Sequence, residues 1–292
     1  MTAPTLSIVA PMYNEGRILG EFVSRCTRAA ERTGLDFEIV IADDASSDDT
    51  PRQLAALARD PRLRPCRLPS NAGQFRATQA GLRAASGGWV VVLDGDLQDP
   101  PELIPRLVEA LAGAAPSVQA VLAVKSHRDD PALFMMGQFL FHRLQHAFSR
   151  VALPLGAGTY CIMRGAVARR VATAEFRSAN LAALVAVAAR ALGGALTTVP
   201  YEKGARYDNS GRVGWQGLVA EALESLAVTG ALPRLGLLLA ATLVAGAAAC
   251  GAHPAARTAL LAAGVGAAAV SLAVRWRTRQ ALASLGAAHA GD

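Results

Sequence analysis

Short β-rich runs in the first part of this chain are each followed by a polar cluster and then by a stretch with helical spacing. The runs are Leu6–Ala10, Phe37–Ala42, Trp89–Leu93 and Val118–Val124, and the helical stretches include Arg17–Arg32, Thr50–Arg59 and Gln74–Ala85. Apolar runs of strand length alternating with helices predict an α/β fold, Rossmann-like, with a mainly parallel sheet and flanking helices on both faces. Such sheets bind ligands beyond the carboxyl ends of their strands. The polar clusters fall there: PMYNE (11–15), DDASSDDT (43–50) and DGDLQDPPE (94–102). Clusters at equivalent strand ends predict one composite site. Further along, the spacing predicts a helix over 133–150, a Gly-rich turn at Leu155–Gly158, more helix, and a last strand at Leu196–Tyr201.

The most informative cluster is the third. An apolar run ends in Asp94-Gly95-Asp96, with Gln98 two residues on and Pro100-Pro101 opening a helix. Two carboxylates joined by a glycine that permits a tight backbone can hold one hard cation, Mg²⁺ or Mn²⁺, whose remaining ligands come from substrate phosphates. The bland alternative is a solvated acidic turn, and the apolar strand and companion clusters argue against it. Likewise Pro11 and Tyr13 could simply shape a turn, and Asp43 and Asp44 could cap the helix near Thr50. His142 and His146 are four apart on an expected helix, without a third ligand, and receive no role.

Beyond Leu232 the composition changes. Two charge-free stretches, Leu235–Ala252 and Thr258–Val274, are separated by His253, Pro254 and Arg257. Both approach the ~20 residues of a membrane span, and neither has the polar face of a soluble helix. Burial as core helices is the competing reading. Arg234 before the first stretch and Arg275, Arg277 and Arg279 after the second predict a transmembrane hairpin with both ends cytosolic. Val213–Thr229, which carries Trp215, Leu218, Leu223 and Leu226 with Glu221 and Glu224 among them, reads either as an interfacial helix or as an ordinary domain-closing one. The expected organisation is a catalytic domain at 1–212, a juxtamembrane helix at 213–230, two transmembrane helices at 231–276 and a short tail at 277–292.

The net charge of +6 fits an anionic membrane or phosphate-bearing ligands. Nucleic acid is not an expected partner, because no basic block is interleaved with aromatics. The four cysteines are widely spaced and form no CxxC pair, which predicts reduced thiols. The N-terminus shows no basic n-region or long apolar h-region, so the large domain is expected in the cytosol and the protein at the cytoplasmic membrane.

Taken together, PMYNE (11–15), IADDASSDDT (41–50), LPSNAGQFRATQAGL (68–82) and LDGDLQDPPELIP (93–105) resemble the GT-A domain of family 2 glycosyltransferases. DLQDPPELI and the two-helix tail are similar to the polyprenyl-phosphate branch, which includes dolichol-phosphate mannose synthases. The resemblance covers roughly 5–275. It implies a nucleotide-sugar donor (UDP- or GDP-), a polyisoprenyl phosphate acceptor, contact with membrane lipids and a homo-oligomer of unset number. By resemblance, Pro11, Tyr13, Glu15, Asp43, Asp44, Asp94 and Gly95 would bind the nucleotide-sugar, while Asp94, Asp96 and Gln98 would hold the metal. Lys125, Arg128, Arg206, Ser210 and Arg212 would face the acceptor phosphate, with Asp96, Arg128 and Arg206 closest to the chemistry. Arg212 stands where relatives carry Lys.

One stretch departs from the pattern. Relatives carry a segment resembling PLDTGDFRLM where this chain has PLGAGTYCIM (154–163), so Gly156, Thr159 and Cys161 replace Asp, Asp and Arg. No Glu-Asp base pair or QxxRW segment of processive synthases follows. A phosphate acceptor is already anionic and can dispense with a general base, so these absences favour it over a hydroxyl acceptor. A tethered hydroxyl-glycosylating enzyme and a non-catalytic nucleotide-sugar-binding relative are the alternatives.

Overall fold

A computed structural model describes residues 5–126, 143, 147–149, 151, 153–154, 156–175, 180–204, 223, 226–249 and 254–287. Within them, seven strands form one sheet in the order β3-β2-β1-β4-β6-β5-β7. The strands are β1 (Leu6–Met12), β2 (Phe37–Asp43), β3 (Leu63–Arg67), β4 (Trp89–Val92), β5 (Val118–Lys125), β6 (Ala157–Arg164) and β7 (Ala195–Tyr201). The pairs β1–β2, β1–β4, β2–β3 and β5–β7 are parallel, whereas β6 runs antiparallel to both β4 and β5. The expected α/β architecture with flanking helices is the one present.

Helices α1 (Gly16–Glu31), α2 (Thr50–Leu57) and α3 (Gln74–Ala84) match the helical spacing closely, and α4 (Ile104–Ala112) follows the Pro100-Pro101 pair expected to open a helix. In α1 the stripe Ile18, Leu19, Phe22, Cys26, Ala29 and Ala30 is buried against one sheet face, as a period of 3.6 requires. The opposite face is covered by α3, α5 (Gly165–Ala172) and α6 (Leu181–Ala191), which share a second apolar core with Val9, Val40, Val92, Leu122 and Cys161. Asn180 caps α6 by accepting a hydrogen bond from the Ala183 N–H at 3.1 Å.

Two strands were not anticipated. β3, LRPCR, buries only Leu63 fully, and Pro65 is tolerated because the strand lies at the sheet edge. β6 occupies the place where a Gly-rich turn and more helix were expected. Its side chains alternate between the two cores, with Tyr160 and Ile162 facing one and Cys161 and Met163 the other. That period of two places it in the sheet, and the partners that reward it come from distant sequence.

Downstream, α7 (Ala231–Ala249) packs on α8 (Pro254–Ala287), and α8 also touches α5 and α6. α8 continues past Arg275, Arg277 and Arg279, where a tail was expected, because RWRTRQALAS contains no helix breaker. Among the described residues no helix is long and apolar enough to cross a membrane. Pro233 and Arg234 occupy the first turn of α7, leaving a charge-free run of about 15 residues, roughly 22 Å long. Of the expected helix at 133–150 only 143 and 147–149 are described, and of the expected interfacial helix at 213–230 only 223 and 226–230; the rest of both lies outside the described residues.

The sheet is locked at the end away from the polar clusters. Glu38, 5% exposed, accepts hydrogen bonds from Ser7 Oγ (2.6 Å), Ser86 N–H (2.6 Å), Ser86 Oγ (2.9 Å) and Arg64 Nη1 (2.6 Å). Burial alone would raise its carboxyl, but these donors outweigh it and hold the group below the ordinary glutamate value of 4.5. Glu38→Ala strands the buried Ser7 hydroxyl, while the Ser86 and Arg64 donors can turn to water, and is expected to cost about 2 kcal/mol, read from urea denaturation at pH 7. A folded value below the unfolded one places this stabilisation above pH 4.5, and it is lost as pH falls through the folded value. The gap between wild type and variant should therefore narrow under acid.

Candidate active site

Parallel pairing of β1 with both β2 and β4 aligns their carboxyl ends, so the first three polar clusters meet. They are wired together. The Asn14 N–H donates to Ser46 Oγ at 2.9 Å, and Asn14 Oδ1 accepts from the Ser47 N–H at 2.9 Å. Asp48 accepts from the Gly16 N–H at 3.1 Å and the Thr50 N–H at 2.9 Å, tying the starts of α1 and α2 to one carboxylate. Each of these loops turns through a non-glycine residue in the left-handed region: Asn14 (φ 57), Ala45 (φ 59) and Leu97 (φ 60). Backbone strain concentrated at three neighbouring strand exits is typical of a functional site.

Beyond the strand ends lies a cavity of about 490 Å³, lined by Pro11, Met12, Tyr13, Glu15, Asp44, Asn71, Gly73, Gln74, Ala77, Asp94, Gly95, Asp96, Gln98 and Lys203. Most of the sequence-derived donor and metal residues therefore share one space. Asp44 reaches it, yet its two oxygens accept the N–H groups of Ala72 (2.7 Å) and Gly73 (2.8 Å), so it also anchors the loop ahead of α3. Asp43 stands behind the cavity, 1% exposed, accepting from the Ser46 N–H at 2.9 Å with Arg67 Nε at 3.5 Å. Lys125 ends β5 and does not line the cavity. Arg128, Arg206, Ser210 and Arg212 lie outside the described residues.

Gly95 is required for a reason other than backbone freedom. A Cβ there would sit 2.8 Å from Met12 Cγ and 3.1 Å from the Pro11 carbonyl oxygen, so only glycine lets the β4 exit close on β1. Asp94 and Asp96 flank that contact. Asp94 Oδ1 accepts from Gln74 Nε2 (2.7 Å) and Thr159 Oγ1 (3.0 Å), while Oδ2 takes no hydrogen bond among the described residues. Asp96 Oδ1 accepts from the Gln98 N–H at 3.0 Å. Burial and the Asp99 carboxylate push the Asp94 carboxyl up to about 6; Lys203 opposes this, Asp96 adds to it, and Thr159 opposes it.

A carboxylate under that pressure gains from a nearby cation. Asp94, Asp96 and Gln98 form an all-oxygen donor set suited to Mg²⁺ or Mn²⁺. Among the described residues no group of three His, Cys, Asp or Glu side chains is placed to hold a metal ion.

Sequence reasoning missed Lys203, Gln74 and the role of Thr159. Lys203 follows β7 and lies 3.9 Å from Asp99 Oδ1, which also accepts from the Tyr201 hydroxyl at 2.7 Å. Its only signal was a basic residue just after a strand. The Thr159 hydroxyl donates to Asp94. Cys161 is fully buried in the second core and its thiol is pushed up to about 12 by burial.

Residues 7–172, from β1 through α5, match the Glycosyl transferase family 2. The chain belongs to that family. Within family 2 it is 37% identical over 162 residues to the undecaprenyl-phosphate 4-deoxy-4-formamido-L-arabinose transferase of Enterobacter sp. (strain 638), covering 54% of this chain and 47% of that protein. It is 42% identical over 136 residues to the same-named protein of Sodalis glossinidius, covering 44% of this chain and 41% of that one. The matches thus span under half the length of these relatives. Solved structures of similar fold include a mannosyltransferase from Pyrobaculum calidifontis in complex with GDP-Man and Mn²⁺ (TM-score 0.52, 21% identity, 99% of this chain and 77% of that one). A second is glucosyl-3-phosphoglycerate synthase from Mycobacterium tuberculosis with Mn²⁺, UDP and phosphoglyceric acid (TM-score 0.54, 20% identity, 77% and 76% covered).

Thr159→Val removes a donor that favours the charged form of Asp94. The Asp94 titration should rise further above about 6, followed by carboxyl ¹³C NMR. Mn²⁺ affinity in the presence of a nucleoside diphosphate should fall by roughly tenfold, measured by calorimetry.

Proposed function

We propose that this chain transfers a sugar, with inversion, from a nucleotide-sugar to a polyisoprenyl phosphate at the cytosolic face of a membrane. The observation that carries the reading is the convergence of Asp94, Asp96, Gln98 and Lys203 on one cavity walled by the β1 and β2 exit loops. Family membership supports sugar transfer. The names of the curated relatives support an acceptor of the polyprenyl-phosphate class.

Each part of the cavity suits one part of such a reaction. Tyr13, 46% exposed, offers an aromatic face to a nucleobase, with Pro11, Glu15 and Asp44 as neighbouring walls. The first turn of α3 opens onto the cavity at Gln74, and its helical N–H groups, beyond the Ala72 and Gly73 N–H groups that Asp44 already holds, favour a diphosphate. Asp94, Asp96 and Gln98 would hold Mg²⁺ or Mn²⁺, which when bound offsets charge growing on the leaving nucleoside diphosphate. Gln74 and Thr159 hold Asp94 in position, and Lys203 brings a positive charge to the same space. The acceptor phosphate oxygen arrives ionised, so attack on the anomeric carbon needs alignment more than proton removal. A hydroxyl at 159 instead of a carboxylate is compatible with that. Lys125, Arg128, Arg206, Ser210 and Arg212 are the cations and donors assigned to the acceptor phosphate in this reading.

The hairpin of α7 and α8 is read as the membrane element, with the catalytic domain on the cytosolic side. Leu238, Leu239, Val265, Val270, Leu272 and Trp276 are each at least half exposed, an apolar surface too extensive for water. Neither helix carries an acidic residue.

Two measurements test these claims. Purified protein is incubated with polyprenyl phosphate, Mg²⁺ or Mn²⁺ and a panel of labelled nucleotide-sugars; one donor should yield a lipid-linked sugar. Asp96→Ala should lower that yield on the order of 100-fold or more. No product from any donor, or undiminished product from the variant, overturns the reading. Separately, the full chain should stay in the membrane pellet through a high-salt wash and leave it only in detergent. Release by salt alone would contradict an inserted hairpin.

A further inference from the structure

A second cavity, of about 300 Å³, lies where the hairpin meets the catalytic domain, and it shares no lining residue with the first. Four arginines from three helices line it: Arg190 at the end of α6, Arg234 in the first turn of α7, and Arg275 and Arg279 on α8. Its other walls include Val228, 1% exposed, and Leu237. Among the described residues none of the four arginines is ion-paired to a carboxylate. Arg234 Nη1 donates to the Phe148 carbonyl at 2.8 Å, which fixes that side chain at the rim.

Ordinary structural roles do not account for the cluster. A cation in the last turn of a helix complements the helix dipole, and that explains Arg190 alone. Arg234 sits at the opposite, positive end of α7, and Arg275 and Arg279 are interior to α8, which runs on to Ala287. No acidic side chain on α7 or α8 neutralises them. Arg190, Arg234 and Arg279 are exposed, so water screens part of their mutual repulsion, and an anion seated among the four would relieve the rest. Guanidinium groups are the side chains best suited to phosphate oxygens, which they grip through paired N–H donors. The apolar wall gives such a ligand a greasy end as well as a charged one.

We propose that this cavity binds the phosphate of an anionic membrane phospholipid, seating the base of the hairpin at headgroup depth. A basic pocket between helices on the cytosolic side is the form such a site takes. The inference rests on the hairpin as the membrane element but not on the sugar-transfer chemistry.

The test is lipid binding by the full chain in dodecyl maltoside, followed by native mass spectrometry. The probes are dioctanoyl phosphatidylglycerol, dioctanoyl phosphatidylcholine and inorganic phosphate. Phosphatidylglycerol should bind saturably and at least tenfold more tightly than either other probe. Arg275→Gln/Arg279→Gln should weaken that binding at least tenfold, while Arg277→Gln, on the same helix but outside the cavity, should stay within twofold. If the double variant melts far below wild type, Arg190→Gln alone should still weaken binding several-fold. Equal binding of phosphatidylcholine, or an equal loss in Arg277→Gln, overturns the site. Inorganic phosphate binding as tightly as phosphatidylglycerol overturns the lipid assignment. Because sugar transfer is not the readout, an inactive enzyme that binds the lipid leaves this proposal standing, and an active one that does not refutes it. Salt release of the chain from membranes is scored separately and speaks to the hairpin alone.

Discussion

The site depends on how closely the exit of β4 can approach the end of β1. Gly95 sits against Met12 and the Pro11 carbonyl with no room for a side chain. That contact brings the Asp94 and Asp96 carboxylates beside the PMYNE loop and sets the cavity floor. A larger residue would have to displace Met12, which is itself buried in the core under the sheet. The glycine therefore couples core packing to the acidic pair, and interior packing density leaves little slack between them.

Around that contact, polar side chains serve the backbone before they serve a ligand. Asn14, Asp43, Asp44 and Asp48 spend much of their hydrogen-bonding capacity on loop N–H groups. They hold the strained exits of β1 and β2 in register and tie the loop ahead of α3 to them. Asp94 differs, because its donors are two side chains brought in from α3 and β6 and both use one oxygen. Burial and neighbouring carboxylates hold it far above the ordinary aspartate range. The far end of the sheet has a counterpart in Glu38, whose donors hold it low. The two carboxylates differ in the balance of donors against negative neighbours, which suits one to fixing structure and the other to receiving positive charge.

The hairpin adds a second kind of constraint. Its apolar faces point away from the domain, while its arginines gather where it meets α6. Apolar surface outward and cationic surface at the base is the distribution expected of an element held by lipid tails and headgroups together. The ligand cavity at the strand ends and the arginine cavity at the hairpin are lined by separate residues.

Much was legible in the sequence because it is local. Apolar periodicity marked β1, β2, β4, β5 and α1 through α3, the strand-end rule brought the PMYNE, DDASSDDT and DGDLQDPPE clusters together, and the family resemblance singled out Pro11, Tyr13, Glu15, Asp44, Asp94, Asp96 and Gln98 within them. Strands β3 and β6 were hidden, the first by its edge composition and the second because its pairing partners lie far away in sequence. The same distance hid Lys203, Gln74 and the hydroxyl of Thr159, 65 residues from the carboxylate it meets. It also hid the arginine cavity, whose members come from α6, α7 and α8. The sequence by itself determined the strand–helix alternation and the acidic pair, since those follow from backbone periodicity and residue chemistry. Only the tertiary structure decided which side chains surround that pair, because long-range contacts form when distant segments share one core and leave no periodic trace in the chain.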